Sequence, residues 1–302
     1  MRRLRIATRA SALSLAQVEE VVARLRGYAE VEIVKVVSRG DVDLHTPLYA
    51  MKEKGVFERD VDLAVLEGRA DLAVHSAKDV PTEVPMELAV AAVPPRRSPF
   101  DALVAPGGAP LDRLPSGSRV GTSSLRRISM LRRARPDLEI VPLRGNLDTR
   151  LSRLGRDLDA LVVAEAGLER LGYGGAWTRL PLEDFVPAAG QGAIMVMARS
   201  DDREVLDLLS AVDDPTSRAE VLAEKSFVRA VGAGCRAPVG VLARAEGGEL
   251  RMVAGIVPPD SSRMIMVSSS GPLPGEGAVA KLVEEFRRAG GMDALEMWRD
   301  RY

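Results

Sequence analysis

The chain has 302 residues, 46% of them apolar and 28% charged, with a formal net charge of -1. That length favours two or three domains over one, and no apolar run reaches the length of a membrane span. Near-zero net charge removes the global field that draws proteins to nucleic acid, and 4% aromatic content leaves few surfaces for stacking bases.

The basic start, Met1-Arg2-Arg3-Leu4-Arg5, is not followed by an apolar stretch of signal-peptide type, so a cytosolic protein is expected. Cys235 is the single cysteine, which excludes an intrachain disulfide and a cysteine-based zinc site. His45 and His75 are the only histidines and neither sits in a ligand pattern, so no metal is expected.

In chain order, residues 4–7 read as a short buried strand. Ser11 can cap a helix whose apolar positions Leu15, Val18, Val22 and Leu25 recur at helical spacing. Residues 31–37 are β-branched and read as a strand, 60–66 as a helix, and 71–75 and 87–93 as strands. This βαβ rhythm predicts a mostly parallel sheet covered by helices.

Pro94-Pro95-Arg96-Arg97-Ser98-Pro99 interrupts the rhythm and suggests a hinge. The pattern then restarts, with strands at 119–121, 139–142 and 160–164 and helices at 123–134 and 147–154. Two successive α/β units of similar size suggest two similar domains facing a cleft. Pro187-Ala188-Ala189-Gly190-Gln191-Gly192 marks a second crossing, and Asp214-Pro215-Thr216 a third boundary. Beyond it come a helix at 217–231, strands at 240–245 and 250–257, and a helix at 278–288, read as a small α+β domain. The expected division is 1–94 with 193–212, then 98–190, then 215–302.

Four polar clusters follow predicted strands: Thr8-Arg9-Ala10-Ser11, Ser76-Ala77-Lys78-Asp79, Thr122-Ser123-Ser124-Leu125-Arg126-Arg127, and Arg144-Gly145-Asn146-Leu147-Asp148-Thr149-Arg150. Ligands of open α/β sheets sit beyond the carboxyl ends of strands, where helix N-termini attract anions. A lone capping serine followed by arginine is ordinarily a helix start with a solvated charge. Four such clusters weigh toward one wide multi-anion site. Nine arginines between residues 119 and 153, against Asp137, Glu139 and Asp148, make that segment locally cationic. The chain holds one asparagine, Asn146, and two glutamines, Gln17 and Gln191, so each surviving amide is a candidate for a specific hydrogen-bonding job.

Asp79 precedes Val80-Pro81 in a restricted loop; a carboxylate there can stabilise developing positive charge and exchange protons, while a turn cap fits the local sequence equally well. Cys235 lies in Gly232-Ala233-Gly234-Cys235-Arg236-Ala237-Pro238. A lone cysteine is more often a small buried hydrophobe. The glycines and the adjacent arginine weigh toward a reactive thiolate. Residues 51–57 read as a polar loop that is either a lid or an ordinary connection.

These motifs, together with Arg5-Ile6-Ala7-Thr8-Arg9-Ala10-Ser11, Arg39-Gly40-Asp41, His75 to Pro81, Gly121 to Arg127, Leu143 to Arg150 and Ala189 to Ala193, occur in the order seen in hydroxymethylbilane synthases, also called porphobilinogen deaminases. The chain resembles that family over nearly its whole length. Departures are small: Ala77 where the family often has Met, and Ala233-Gly234 where Gly-Gly is common before the cysteine.

The resemblance implies an α/β fold: two domains of type II periplasmic-binding-protein form plus a small C-terminal α+β domain. It implies a dipyrromethane cofactor on Cys235, porphobilinogen as substrate, no nucleic-acid or membrane partner, and a monomer. By residue it implies Asp79 as the catalytic group. It implies cofactor contacts from Ser11, Lys78, Thr122, Ser123, Ser124, Arg126, Arg127, Arg144 and Asn146. Substrate contacts are implied for Arg9, Arg144, Arg150, Arg170, Gln191 and Lys54. Two other classes stand beside it. A non-catalytic anion-binding protein of the same fold would need neither Cys235 nor Asp79, and a nucleic-acid binder would use residues 119–153.

Overall fold

A computed structural model describes residues 2–37, 58–234 and 237–301. In chain order these form β1 (Arg2–Arg9), α1 (Ala12–Leu25), β2 (Ala29–Val36), α2 (Arg59–Leu66), β3 (Leu72–Ser76), β4 (Leu88–Ala92), β5 (Asp101–Val104), β6 (Arg119–Gly121), α3 (Leu125–Ala134), β7 (Glu139–Val141), α4 (Leu147–Leu151), β8 (Ala160–Ala164), α5 (Glu165–Arg170) and β9 (Trp177–Arg179). There follow β10 (Ile194–Arg199), α6 (Arg203–Leu209), α7 (Pro215–Ala230), β11 (Val239–Glu246), β12 (Glu249–Ile256), β13 (Ile265–Pro272), α8 (Glu276–Arg288) and α9 (Gly291–Arg299).

Local chemistry sets the helix starts. Ser11 is extended and its hydroxyl accepts from Ser14 N at 3.2 Å, which caps α1. Asp214 accepts from Ser217 N at 2.8 Å, and Pro215 takes the first helical position of α7, two residues earlier than its sequence reading. On α1 the buried residues include Val18, Val21 and Leu25; Val21, not Val22, completes the buried face.

Three sheets result. The first has the order β2-β1-β3-β10-β4 and the second β7-β6-β8-β5-β9. Each five-stranded sheet joins three parallel strands to one returning antiparallel strand with a fifth strand outside it. The expected mostly parallel sheets are therefore mixed, because each sheet takes in a strand from beyond a chain crossing: β5 enters the second sheet and β10 returns to the first. Apolar cores lie on both faces of both sheets. The third sheet, β11-β12-β13, is antiparallel and shares a core with α7, α8 and α9, including Phe227 edge-on to Phe286 at 5.4 Å.

The two crossings run side by side. Arg97 N donates to Gly192 O at 3.3 Å. A Cβ on Gly192, at φ +85, would sit 2.3 Å from Ser98 O, so only glycine lets the two backbones touch. Fully buried Glu224 of α7 pins this crossing to the third sheet. Its carboxylate accepts from Gly190 N at 2.6 Å, Ala243 N at 2.8 Å and Arg96 Nη1 at 2.7 Å. A buried carboxylate saturated by donors from three segments fixes their relative positions.

Candidate active site

A cavity of about 660 Å³ opens between the first two sheets, at the carboxyl ends of β1, β3, β6 and β8, with α7 and the start of β11 closing its floor. From the first sheet's side it is lined by Arg9, Ser11, Gln17, Ser76, Lys78 and Asp79. From the second come Thr122, Ser123, Ser124, Arg126, Arg127, Arg144, Asn146 and Arg150, and from the return crossing Gln191. Among the described lining residues there are seven basic side chains, counting Lys225, and one acid, Asp79. A cleft with that imbalance is built to take a ligand carrying several negative charges.

Asp79 is held by its loop. Its N–H donates to Ser76 O at 3.0 Å, and Ala77 N donates to Ala193 O of the returning chain at 3.0 Å. Lys225 of α7 reaches across and donates from Nζ to Val80 O. The catalytic candidate is thus anchored by β3, by the segment leading into β10 and by α7. Gln17 Nε2 donates to Ser76 Oγ at 2.7 Å, which ties α1 to the same turn.

The cations are arranged around a buried counter-charge. Asp101, fully buried at the start of β5, accepts from Arg126 Nη1 at 2.7 Å, Arg127 Nη2 at 2.8 Å and Gln191 Nε2 at 2.9 Å. Burial alone would push its carboxyl up; the two guanidiniums hold it well below the usual carboxylate range. Burial pulls Lys78 down to about 8, with Asp79 opposing and Arg127 adding to the fall. Burial also pulls Arg150 down to about 10, helped by Arg127 and Arg144. Cations this crowded gain from any arriving carboxylate.

Several predicted hydroxyls serve the backbone as well. Ser124 caps α3, accepting from Arg127 N, and Thr122 Oγ1 accepts from Ser124 N at 3.3 Å. Ser123 accepts from Leu143 N at 2.6 Å. Asn146 starts α4 without a side-chain cap bond. The starts of α1 and α3 both border the cavity, adding N-terminal dipoles to the positive field.

Arg170 departs from its sequence reading. It lies outside the cavity lining, its side chain 3% exposed, with Nη2 donating to Gly192 O at 3.0 Å and Nε 3.4 Å from Glu20. Backbone and carboxylate of the protein take the guanidinium that was assigned to substrate. Cys235 and Lys54 lie outside the described residues; Gly234 and Ala237, on either side of the 235–236 pair, both line the cavity.

Sequence reasoning missed Asp101, Lys225 and Glu58, and singled out Gln17 only as a scarce amide without placing it in the site. Asp101 carries no local signal, since its arginine partners lie 25 and 26 positions further on. Gln17 did carry one: all three side-chain amides of the chain, Gln17, Asn146 and Gln191, line this cavity. Glu58, at the start of α2, is 5% exposed, and burial raises it to about 7, with Asp79 adding to the rise and His75 opposing. His75 is a satisfied core histidine, Nε2 2.8 Å from Asp62.

Residues 4–207 match the family model described as "Porphobilinogen deaminase, dipyromethane cofactor binding domain", and residues 218–285 the model "Porphobilinogen deaminase, C-terminal domain". The chain belongs to the porphobilinogen deaminase family. A probable porphobilinogen deaminase of Methanopyrus kandleri is 50% identical over 266 residues, covering 86% of this chain and 89% of that one. The porphobilinogen deaminase of Roseiflexus sp. (strain RS-1) is 46% identical over 299 residues, covering 96% and 97%. Among solved structures, a nutrient-binding protein from Burkholderia cenocepacia covers 70% of this chain and 92% of its own, at a TM-score of 0.44 and 16% identity. The first porphobilinogen deaminase model spans the two mixed sheets and their cleft; the second begins in α7 and ends in α8.

Proposed function

We propose that this chain is a porphobilinogen deaminase. It joins four porphobilinogen molecules in turn onto a dipyrromethane group attached at Cys235, with loss of ammonia, and then releases linear hydroxymethylbilane by hydrolysis. The observation that carries the reading is the charge pattern of the cleft: seven cations and Asp79 alone among the described lining residues.

The donor set fits the group. A dipyrromethane of this kind carries four carboxylates, and the cleft offers Ser11, Lys78, Thr122, Ser123, Ser124, Arg126, Arg127, Arg144 and Asn146 to hold them. Burying such charges unpaired would cost several kcal/mol each. When bound, the group supplies the pyrrole carbon to which substrate is joined. Arg9, Arg144, Arg150 and, from the loop, Lys54 receive substrate carboxylates; Gln191, assigned to substrate by the family resemblance, instead gives both amide N–H groups to Pro99 O and Asp101 and braces the arginines. Arg170 would do so only after leaving Glu20. Asp79 faces the pyrrole that loses ammonia; its carboxylate offsets the positive charge that develops there and takes up and returns a proton. Attachment at residue 235 makes each addition intramolecular in effect.

The reading divides the chain at 1–94 with 193–212, 98–190 and 215–302, and puts it in the cytosol as a monomer. Among the described residues no helix is long and apolar enough to cross a membrane. Intact-protein mass spectrometry of purified active enzyme tests the proposal: a two-pyrrole adduct that maps to Cys235 is expected, and turnover by protein with a bare thiol would defeat it.

A further inference from the structure

The first two sheets also meet at the rim of the cavity, where α1 approaches α5. A Cβ built on Gly167 of α5 would lie 3.9 Å from Leu13 of α1. One turn or more further along α1, Glu20 Oε1 accepts from Arg97 Nε at 2.5 Å and sits 3.4 Å from Arg170 Nε. Arg97 belongs to the outgoing crossing. Arg170 ends α5, and its Nη2 grips Gly192 of the return crossing at 3.0 Å. One carboxylate of the first layer is therefore shared between an arginine of the hinge and an arginine of the second layer.

The joint is not saturated. Arg170 Nε makes no hydrogen bond of acceptable geometry, although its side chain is 3% exposed. Burial lowers the Arg170 pKa, and Glu20 opposes the fall. A buried guanidinium so placed would accept a better carboxylate if one arrived. A growing oligopyrrole brings two carboxylates per unit, and added units need more room than a closed cleft gives.

We propose that Glu20 is a latch and positioning residue: it holds Arg97 and Arg170 together in the resting cleft and yields Arg170 to a carboxylate of the growing chain. Closure and elongation then compete for one guanidinium. This rests on the activity proposed above. A latch that must open before substrate is held raises the apparent KM by the reciprocal of the fraction of molecules that are open.

The test compares steady-state kinetics of the parent holoenzyme with Glu20→Gln, which keeps the shape and removes the charge. The expected result is a KM for porphobilinogen lower by about two- to tenfold with kcat changed less than about twofold, and small-angle scattering that reports a larger radius of gyration for the variant. Glu20→Asp, which keeps the charge on a shorter arm, should fall between. An unchanged or raised KM overturns the latch. If Glu20→Gln melts far below the parent, Glu20→Asp carries the same test by the same readouts. A parent holoenzyme that does not consume porphobilinogen would instead defeat the activity, so the two failures are separable.

Discussion

Asp101 Oδ1 accepts from both Nε and Nη2 of Arg127, at 3.0 and 2.8 Å, outside the cavity lining. Arg127, which lines the cleft, is thus held from behind by a buried carboxylate, and Gln191 braces both, donating to Asp101 at 2.9 Å and accepting from Arg127 at 3.3 Å. Arg126 spends most of its donors on the same carboxylate and on Val186 O.

Removing that counter-charge leaves two buried guanidiniums without it. Asp101→Asn is expected to lower unfolding free energy by about 3–5 kcal/mol, the range for breaking a buried ion pair from one side. Chemical denaturation at neutral pH checks this. A loss under about 1 kcal/mol would show that the arginines rearrange into solvent, as surface charges do.

Lys78 gives the cleft a pH limit. With its pKa pulled down to about 8, the ammonium loses its charge as pH rises well before the Arg150 guanidinium, which burial pulls down to about 10. Neutral lysine no longer offsets a carboxylate, so KM for porphobilinogen should climb as pH passes through about 8. Lys78→Arg should flatten that climb, since guanidinium stays charged. A parent profile that remains flat to pH 9 would remove Lys78 from ligand binding.

Glu58 predicts the opposite kind of pH dependence, in stability. In the fold its carboxyl keeps the proton up to about 7, against an ordinary 4.5. Between those values the folded state binds more protons than the unfolded chain, so stability falls as pH rises through that window. Glu58→Gln removes the penalty. Its advantage over the parent should grow from near zero at about pH 4 toward roughly 3 kcal/mol at about pH 8. A difference that does not vary with pH would mean that the carboxyl ionises normally beside Asp79, His75 and Arg9.

Much of this architecture is legible in sequence where its cause is local. Ser11 and Asp214 announce α1 and α7 because a cap needs only its own three neighbours. The three scarce amides point to the cleft. The β10 strand does not show itself: Ile194-Met195-Val196-Met197-Ala198 is continuously apolar and has no period, and its partners β3 and β4 lie about a hundred residues earlier. The same non-local cause hides Asp101 and redirects Arg170, whose cation reads as ligand-facing until Glu20 is seen beside it.

Lys225 sets a last expectation, because it acts on Asp79 through the backbone of a loop. Its Nζ donates to Val80 O, one residue beyond Asp79, from a helix that belongs to the third core. Asp79→Ala should retain the fold and lose nearly all turnover, which assigns the chemistry. Lys225→Met should leave Asp79 present but loosely placed. A displacement of about 1 Å is worth on the order of a hundredfold in rate, so kcat should drop by about ten- to a hundredfold while KM moves less than about threefold. Lys225→Arg, able to donate to the same carbonyl, should recover most of kcat. Equal loss in both variants, or a change confined to KM, would make Lys225 a ligand contact and leave the Asp79 loop positioned by β3 and the crossing alone.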